Sequence, residues 1–273
     1  MILPRGWYPD NAAAINEFLK EHPQSKASQG LLCALAPHAG WFYSGTCAAK
    51  AVSALDADCS TIAVIGGHLN AIPLLIAEEE AVRTPQGLME IDIELREEFS
   101  LELKKAKIEY AGDRYNDNTV EVLLPMLKHY FPQAKLLWLR FPADMSSFDA
   151  GLLLSACAKK LQRKLAVVAS SDLTHYGANY HFSPKGSGKA ALDWVMNVND
   201  KKLLDAVIND NAALVLKCAE EDYSSCSAGA ILGAMAFSRE RKARLLDYRT
   251  SANAMPSREV PDSFVGYASM VWD

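Results

Sequence analysis

The stretch "LLCALAPHAGWFYSG" (residues 31–45) shows the pattern on which the predicted fold depends. Six apolar residues come first, and Pro37, His38 and a glycine separate them from a segment with helical spacing. Three further apolar runs follow along the chain: "TIAVIG" (61–66), "KLLWLRF" (135–141) and "KLAVVAS" (164–170). Because these runs are short and lack polar alternation, they indicate strands that are buried on both faces.

Segments with helical spacing alternate with these strands. The predicted helices cover residues 45–55, 119–130, 146–161, 184–197, 200–217 and 226–238. Two late strands are predicted in "ARLLDYR" (243–249) and "FVGYASMVW" (264–272), joined by a polar loop at 250–263. This order predicts an α/β fold with a mostly parallel or mixed central sheet and helices on both faces. We expect a single domain over residues 1–273, and a loop as long as 250–263 is often functional.

Composition and charge exclude several classes of protein. Half of the 273 residues are hydrophobic and 22% are charged, which is typical of a globular domain. The net charge is −5, and the one dense basic run (239–244) lies where a helix should end, so no nucleic-acid partner is indicated. The N-terminus "MILPRGWYPD" has no apolar core of signal-peptide length, no stretch of the chain approaches the length of a membrane span, and six cysteines are widely spaced. We expect a soluble, cytoplasmic protein with reduced thiols and no membrane contact.

Three of the six histidines follow a predicted strand closely: His38, His68 and His175. In open α/β sheets ligands bind at the carboxyl ends of the strands, so these side chains are expected to converge there. A lone histidine at a strand end is more often a structural residue than a ligand. Three histidines in equivalent positions favour a shared site.

A carboxylate lies close to the last of these histidines. Asp172 precedes His175 by three residues, where it can orient the imidazole or hold its proton. The alternative is that Ser170, Ser171 and Asp172 form a capping cluster for the turn. Both roles are compatible with the sequence.

The segment "YSSCSAGAILGAMAF" (223–237) supplies a thiol for the same site. With Ser224 or Ser225 as the N-cap, Cys226 is predicted to lie in the first turn of a helix, whose dipole favours the metal-binding thiolate. By itself Cys226 is more often a buried small residue. Together with His38 and His68 it completes a set of three metal ligands with open positions for water or substrate.

These motifs together resemble the Memo family, whose prokaryotic members are called AmmeMemoRadiSam system protein B. The matches are "APHAGWFYSG", "GGH" followed by "RTP", "SSDLTHYG", the cysteine at the start of a small-residue helix, "DYRTS" and "VGYAS", in order over residues 4–270. The family resembles in fold the class III extradiol dioxygenases, which are non-haem iron enzymes that open catechol rings. The resemblance implies that His38, His68 and Cys226 bind a metal and that His175 with Asp172 moves a proton.

Two departures from these patterns affect the expected chemistry. The dioxygenases hold iron with two histidines and a carboxylate, whereas Cys226 is a softer ligand that also suits zinc or copper. Where the family usually has histidine, this chain has Asn118, which forms hydrogen bonds but takes up no proton near neutral pH. We expect Asn118 to position substrate, and we expect Trp41 and Tyr43 either to line the pocket or to pack.

The first hypothesis is a metal-dependent redox enzyme of dioxygenase type with a small aromatic or peptidic substrate. It requires one divalent metal, with iron favoured and copper or zinc as alternatives. The second hypothesis is a binding module that reuses the pocket to recognise a peptide or a partner protein. A zinc hydrolase ranks last, because no clear carboxylate base stands beside the ligands. The family's name further implies a functional link to radical-SAM and AMMECR-type proteins.

Overall fold

A central sheet with helices packed against it forms the core of the fold. The structure, a computed structural model, describes residue 3 and residues 5–21, 27–69, 73–254 and 259–273. The strands are β1 (Cys33–Ala36), β2 (Thr61–Gly66), β3 (Leu74–Ala77), β4 (Ala81–Thr84), β5 (Gly87–Glu90), β6 (Tyr110–Asp113), β7 (Lys135–Arg140), β8 (Leu165–Ser170), β9 (His175–Gly177), β10 (Ala243–Thr250) and β11 (Ser263–Trp272). The helices are α1 (Ala12–Glu21), α2 (Trp41–Ala54), α3 (Ile93–Ala106), α4 (Asn118–Glu121), α5 (Leu124–Tyr130), α6 (Ser146–Lys160), α7 (Lys189–Trp194), α8 (Asp200–Ile208), α9 (Ala212–Asp222) and α10 (Ala228–Phe237).

The four apolar runs form the middle of the sheet. Within the described residues the strand order is β10-β11-β1-β8-β2-β7-β3-β6, and β9 pairs with β11. Strand β1 pairs with β8, β8 with β2 and β2 with β7, and all three pairs are parallel. Almost every residue of these four strands is buried, which explains why the runs lack polar alternation.

Helices cover both faces of this sheet. On one face Phe99 of α3, Leu154 of α6 and Ile231 of α10 belong to a single buried cluster with the strand side chains that point toward them. On the other face Ile15 of α1 and Val52 of α2 belong to a second cluster. The predicted α/β fold class, with a mostly parallel or mixed sheet between two layers of helices, is therefore confirmed.

Strand β11 holds the segment that carries His175 against the central sheet. It lies between β10 and β1 and is antiparallel to both. Because it runs against β1, its first residues extend past the end of β1, where they pair with β9. The pairing sets Val265 opposite His175 and Ser263 opposite Gly177, so the histidine is held beside the carboxyl ends of the parallel strands.

The helix predictions need several corrections. The helix predicted at 184–197 begins only at Lys189 and passes from Trp194 into a π-helical turn at Val195–Asn199. The segment 200–217 is two helices, because Asp210 adopts a left-handed backbone (φ 52°) and Asn211 caps a new helix through its side chain. The segment 119–130 is likewise divided into α4 and α5. The helix predicted at 226–238 begins at Ala228 with Ser227 as its N-cap, so Cys226 precedes the cap and does not lie in the first turn.

The late strands and the loop between them were predicted at nearly the right places. Thr250 ends β10 and Ser263 begins β11, and residues 251–254 form a short 3-10 turn. Residues 255–258 of the predicted loop lie outside the described residues. Among the helices of the described ranges, none combines the length and the apolar character that a membrane span requires.

Candidate metal centre

A cleft of about 410 Å³ opens at the carboxyl ends of β1, β2 and β8. Six of the residues selected from the sequence line it: His38, Tyr43, His68, Asn118, Asp172 and His175. Strand ends bring them together, as expected for ligand sites of open α/β sheets. Cys226 lies beneath them, where the loop before α10 meets the turn after β8.

His38 forms the floor of the cleft and is 1% exposed. Its Nδ1 lies 3.0 Å from the hydroxyl oxygen of Ser170, and its Nε2 lies 3.3 Å from Cys226 Sγ. Its main-chain N–H donates to Asp172 Oδ1 at 2.8 Å. These contacts fix the ring with one nitrogen facing the sulfur.

His68 approaches the same point from the exposed side of the cleft. Its ring centroid is 5.7 Å from that of His38, and the two rings are nearly perpendicular, at 88°. One ligand atom from each of His38, His68 and Cys226 lies within 4.8 Å of the other two. Since metal bonds to imidazole nitrogen and thiolate sulfur measure about 2.0–2.3 Å, this N, N, S set fits a single first-row metal ion after a small closure.

The turn that carries His68 depends on two glycines. A Cβ on Gly66 would lie 2.0 Å from Thr119 Oγ1, and Gly67 has a φ of 106°, a conformation that other residues rarely adopt. The N–H of Gly67 donates to Thr119 Oγ1 at 2.9 Å. The close approach of α4 therefore allows no side chain at Gly66, and the backbone conformation of Gly67 together with the nearby main chain of Phe141 disfavours one at Gly67.

A buried ion-pair network lies behind this turn. The Thr119 hydroxyl donates to Asp117, and Arg140 Nη1 donates to the other oxygen of Asp117 at 2.8 Å. The same guanidinium binds both oxygens of Asp113, each at 2.6 Å. The network anchors α4, whose first residue, Asn118, accepts through its Oδ1 from His68 Nε2 at 3.2 Å.

Asp172 lies between two imidazoles. Its Oδ2 is 4.0 Å from His38 Nε2 and 3.9 Å from His175 Nε2. His175 Nδ1 is 3.2 Å from the carbonyl oxygen of Leu173. Because a carbonyl oxygen only accepts, Nδ1 carries the hydrogen, and the lone pair of neutral His175 is on Nε2, facing Asp172.

A second buried carboxylate supports the turn that leads to His175. Asp200 accepts from the N–H of Thr174 at 3.1 Å and from the Thr174 hydroxyl, and Tyr248 donates to it at 2.6 Å. Asn199 Nδ2 donates to Thr174 Oγ1 at 2.9 Å, from the end of a π-helical turn. Burial raises the pKa of Asp200 to about 6, although these hydrogen bonds oppose the rise.

The pKa of the Cys226 thiol is shifted in the opposite direction from that of the buried Cys33 and Cys47. Burial disfavours its thiolate, but the facing imidazole of His38 and a hydrogen bond from His68 outweigh burial, so its pKa lies well below the usual value. Burial raises the pKa of Cys33 and Cys47 to about 12. Burial also opposes the charged form of His38, but Cys226 and Asp172 outweigh it and raise the His38 pKa to about 9. The site therefore favours a thiolate beside imidazoles.

A family model described as "Memo-like protein" matches residues 5–271 of this chain. The chain belongs to the Memo-like family. A MEMO1 family protein of Methanocaldococcus jannaschii is 31% identical over 262 residues, which cover 89% of this chain and 83% of the relative. A MEMO1 family protein of Pyrococcus abyssi is 26% identical over 282 residues, covering 97% and 96%. An uncharacterized protein of Escherichia coli K12 aligns in structure with a TM-score of 0.49 and 13% identity, covering 88% of this chain and 99% of that one.

Membership of the Memo-like family confirms the resemblance found in the sequence. The dioxygenase-like fold implied by that resemblance agrees with the central sheet and its two helical layers. The roles of the individual site residues stay predictions.

One aromatic residue selected from the sequence does not reach the cleft of this Memo-like protein. Trp41 is 3% exposed, and its indole N–H donates to the carbonyl oxygen of Val122 at 2.9 Å. Its ring packs against Phe18 and Tyr8, with centroids 5.0 and 6.3 Å away. Trp41 is therefore placed as a packing residue, whereas Tyr43 lines the cleft and is 40% exposed.

Several residues that line the cleft were missed by sequence reasoning. Trp7, Tyr180 and Tyr267 contribute aromatic walls, and Ser251 and Ser263 contribute hydroxyl groups. The two serines lie at the ends of the loop predicted at 250–263, so the length of that loop was a usable signal. The aromatic residues carried no comparable signal, because their positions depend on distant parts of the fold.

Proposed function

We propose that this Memo-like protein is a metal-dependent redox enzyme of dioxygenase type that acts on a small aromatic or peptidic substrate. The observation that carries the proposal is the meeting of two imidazoles and a thiolate-favouring cysteine with a separate histidine–aspartate pair in one cleft. A cluster with a purely structural role would not require His175, with a free lone pair on Nε2, beside the three proposed metal ligands. The arrangement therefore favours chemistry at a bound metal.

The metal would be held by His38 through Nε2, by Cys226 through Sγ, and by one ring nitrogen of His68. One thiolate and two imidazoles suit iron, copper or zinc, and we favour iron. A bound metal of this kind supplies a place where dioxygen binds or where a substrate oxygen is polarised. Three protein ligands leave positions open on the side of the cleft.

His175 is the proposed acid/base group. Leu173 fixes its Nδ1–H, so Nε2 takes a proton from a substrate hydroxyl that lies in the cleft. Asp172, 3.9 Å away, stabilises the imidazolium that forms, and the ring becomes neutral again when Nε2 gives this proton to the leaving product. The pair thus moves one proton without serving as a metal ligand.

The walls of the cleft favour a planar ligand. Tyr43, Tyr180 and Tyr267 surround the space above Asp172 and His175, and aromatic side chains bury ring-shaped ligands well. Asn118 stands at the opposite side beside His68, where its amide can donate to or accept from a substrate. These groups support an aromatic substrate or an aromatic side chain of a peptide.

A binding module is the second candidate, and one observation favours it. Phe42 is 68% exposed, and its ring meets that of Tyr43 edge to face at 5.0 Å beside the cleft. Exposed aromatic pairs are typical of surfaces that bind other proteins. In this case the cleft would hold a peptide without turnover. The functional link to radical-SAM and AMMECR-type proteins belongs with this candidate and stays a prediction.

Metal analysis of protein purified without oxygen tests the proposal. We expect about one metal ion per chain in the wild type, and its loss in His38→Ala and in Cys226→Ala. Cys157→Ala is the matched control, because this buried cysteine lies in α6 away from the cleft, and it should keep the metal. With metal present, oxygen uptake with catechol-type substrates should disappear in His175→Ala while the metal stays bound. A folded wild-type protein that takes up no metal would contradict the proposal and favour the binding module.

A further inference from the structure

The serine at the N-cap of α10 does not cap the helix. Ser227 is fully buried, and its hydroxyl makes no hydrogen bond to the first turn. A serine at this position usually accepts from the second or third N–H of the helix. Here its Oγ lies 3.5 Å from Cys226 Sγ instead. The hydroxyl therefore faces the sulfur of the proposed metal ligand.

Ser171 and Ser225 are the two other serines of this region, and each donates its hydroxyl proton to a group other than the sulfur. The Ser171 hydroxyl donates to the carbonyl oxygen of Asp172 at 2.7 Å, so it has no hydrogen left for Cys226 Sγ, 3.9 Å away. Ser225 Oγ lies 2.9 Å from Ser171 Oγ and is the donor in that pair, since the proton of Ser171 is already used.

The backbone holds the third serine in place. The N–H of Ser227 donates to Ser171 Oγ at 3.3 Å and to Ser225 Oγ at 3.2 Å. Both hydroxyls therefore act as acceptors toward Ser227, and the Ser227 hydroxyl is left to interact with the sulfur. Among the three serines, Ser227 is the one whose proton is available to Cys226.

We propose that Ser227 is a positioning residue that donates a hydrogen bond to the metal-bound thiolate of Cys226 and so limits the electron density that the sulfur gives to the metal. This inference rests on the proposed function. Hydrogen bonds to ligand sulfur are an established means by which proteins set the potential of a metal centre. Ser227 thus favours the reduced metal and orients the lone pairs of the sulfur toward His38 and His68.

Cobalt spectroscopy tests the inference without any need for turnover. Co²⁺ is titrated anaerobically into the metal-free full chain, and the sulfur-to-cobalt charge-transfer band is recorded in the near ultraviolet. The wild type should show this band and Cys226→Ser should lose it. Ser227→Ala should move the band to longer wavelength, because a sulfur without the hydrogen bond releases its electrons more easily. Ser227→Thr, which keeps the hydroxyl, should restore the wild-type position.

Two further measurements separate the hydrogen bond from loosened packing. Ser224→Ala is the matched control, because this buried serine lies in the same loop and its hydroxyl has no hydrogen-bond partner among the described residues, so the band should keep its position. In protein loaded with iron, a mediated titration of the Fe³⁺/Fe²⁺ couple should give a lower midpoint potential for Ser227→Ala than for wild type. If Ser227→Ala does not fold, Ser227→Gly carries the same expectation, since glycine is tolerated at an N-cap.

The outcomes distinguish this inference from the proposal beneath it. A band that is lost in Cys226→Ser but unmoved in the Ser227 variants overturns the role of Ser227 and leaves the metal site standing. A wild-type spectrum identical to that of Cys226→Ser overturns both, because Cys226 then contributes no ligand. A shift of equal size in Ser224→Ala also overturns the role of Ser227.

Discussion

Two buried carboxylate networks hold opposite sides of the cleft, and they differ in how the negative charge is balanced. Behind His68, Asp113 and Asp117 share the guanidinium of Arg140. Behind His175, Asp200 is held by neutral donors from the backbone, a threonine and a tyrosine. The first network should therefore fail when its cation is removed, whereas the second should respond to pH.

Removing the cation is expected to give the largest effect. In Arg140→Met the two buried aspartates, Asp113 and Asp117, lose their partner, and an unpaired buried charge costs about 3–5 kcal/mol. The free energy of unfolding from urea titration should fall by that amount. Arg114→Met is the control, because its ion pair with Glu78 is exposed and should contribute about 0–1 kcal/mol. Equal losses in the two variants would show that the buried network has no special role.

The second prediction concerns the pH dependence of the Asp200 side. The pKa of Asp200 is raised by burial from 3.8 to about 6. Below about pH 3 the carboxyl is protonated in both the folded and the unfolded chain, so its contribution to stability is complete. Between pH 4 and 6 the unfolded chain releases its proton first, and roughly 3 kcal/mol of stability is lost as pH rises through the folded pKa.

Asp200→Asn cannot ionise and should lack this loss. Relative to the metal-free wild type, the free energy of unfolding of the variant should rise by about 3 kcal/mol between about pH 3 and about pH 7. Urea titrations of both proteins at several pH values give the difference directly. Parallel pH profiles for the two proteins would mean that Asp200 keeps an ordinary pKa. The Asp200 network would then not be the pH-sensitive one.

The smallest of the three effects links the first network to the metal. Thr119→Val removes the hydroxyl that accepts from the N–H of Gly67 and donates to Asp117. The turn that carries His68 should then shift, and metal affinity should fall about 10-fold, as is usual for groups that orient a ligand. A competition titration with a chelator measures the affinity. Asn118→Ala should lower the metal affinity less than Thr119→Val does, because His68 is exposed and water can replace the amide. A larger loss of affinity in Asn118→Ala would show that Asn118, and not Thr119, positions His68.

The centre of the sheet and its β10 edge could be predicted from the sequence, whereas β6 at the other edge and β5 of the separate two-stranded sheet could not. Strand β2 was predicted at 61–66 and occupies Thr61–Gly66, and β8 was predicted within one residue of its observed start. Burial on both faces demands an unbroken apolar run, and such runs are easy to recognise. Strand β5 exposes three of its four residues and β6 is short and largely exposed, so neither leaves a hydrophobic period in the sequence.

The candidate site was predictable where it depends on strand ends. His38, His68 and His175 follow the parallel strands, so topology alone places them at one edge. The approach of Cys226 to His38, 188 residues apart, depends on the packing of α10. The sequence suggested it because the cysteine stands beside a predicted helix start, and the resemblance to the Memo family supported it. The burial of Trp41 was not predictable, because an aromatic residue beside a site can face either the cleft or the core.

The position of β11 has a consequence for the order in which the protein is assembled on the ribosome. This strand follows every other described element in the chain, yet it lies in the interior of the sheet beside β1. During synthesis the three proposed metal ligands and His175 emerge before it, and β9 has no pairing strand until β11 follows. Because domains complete their packing only when their last central strand is available, the wall that holds His175 closes only after β11 has emerged. A nascent chain that stops short of Ser263 presents ligands for a metal but no finished cleft around them.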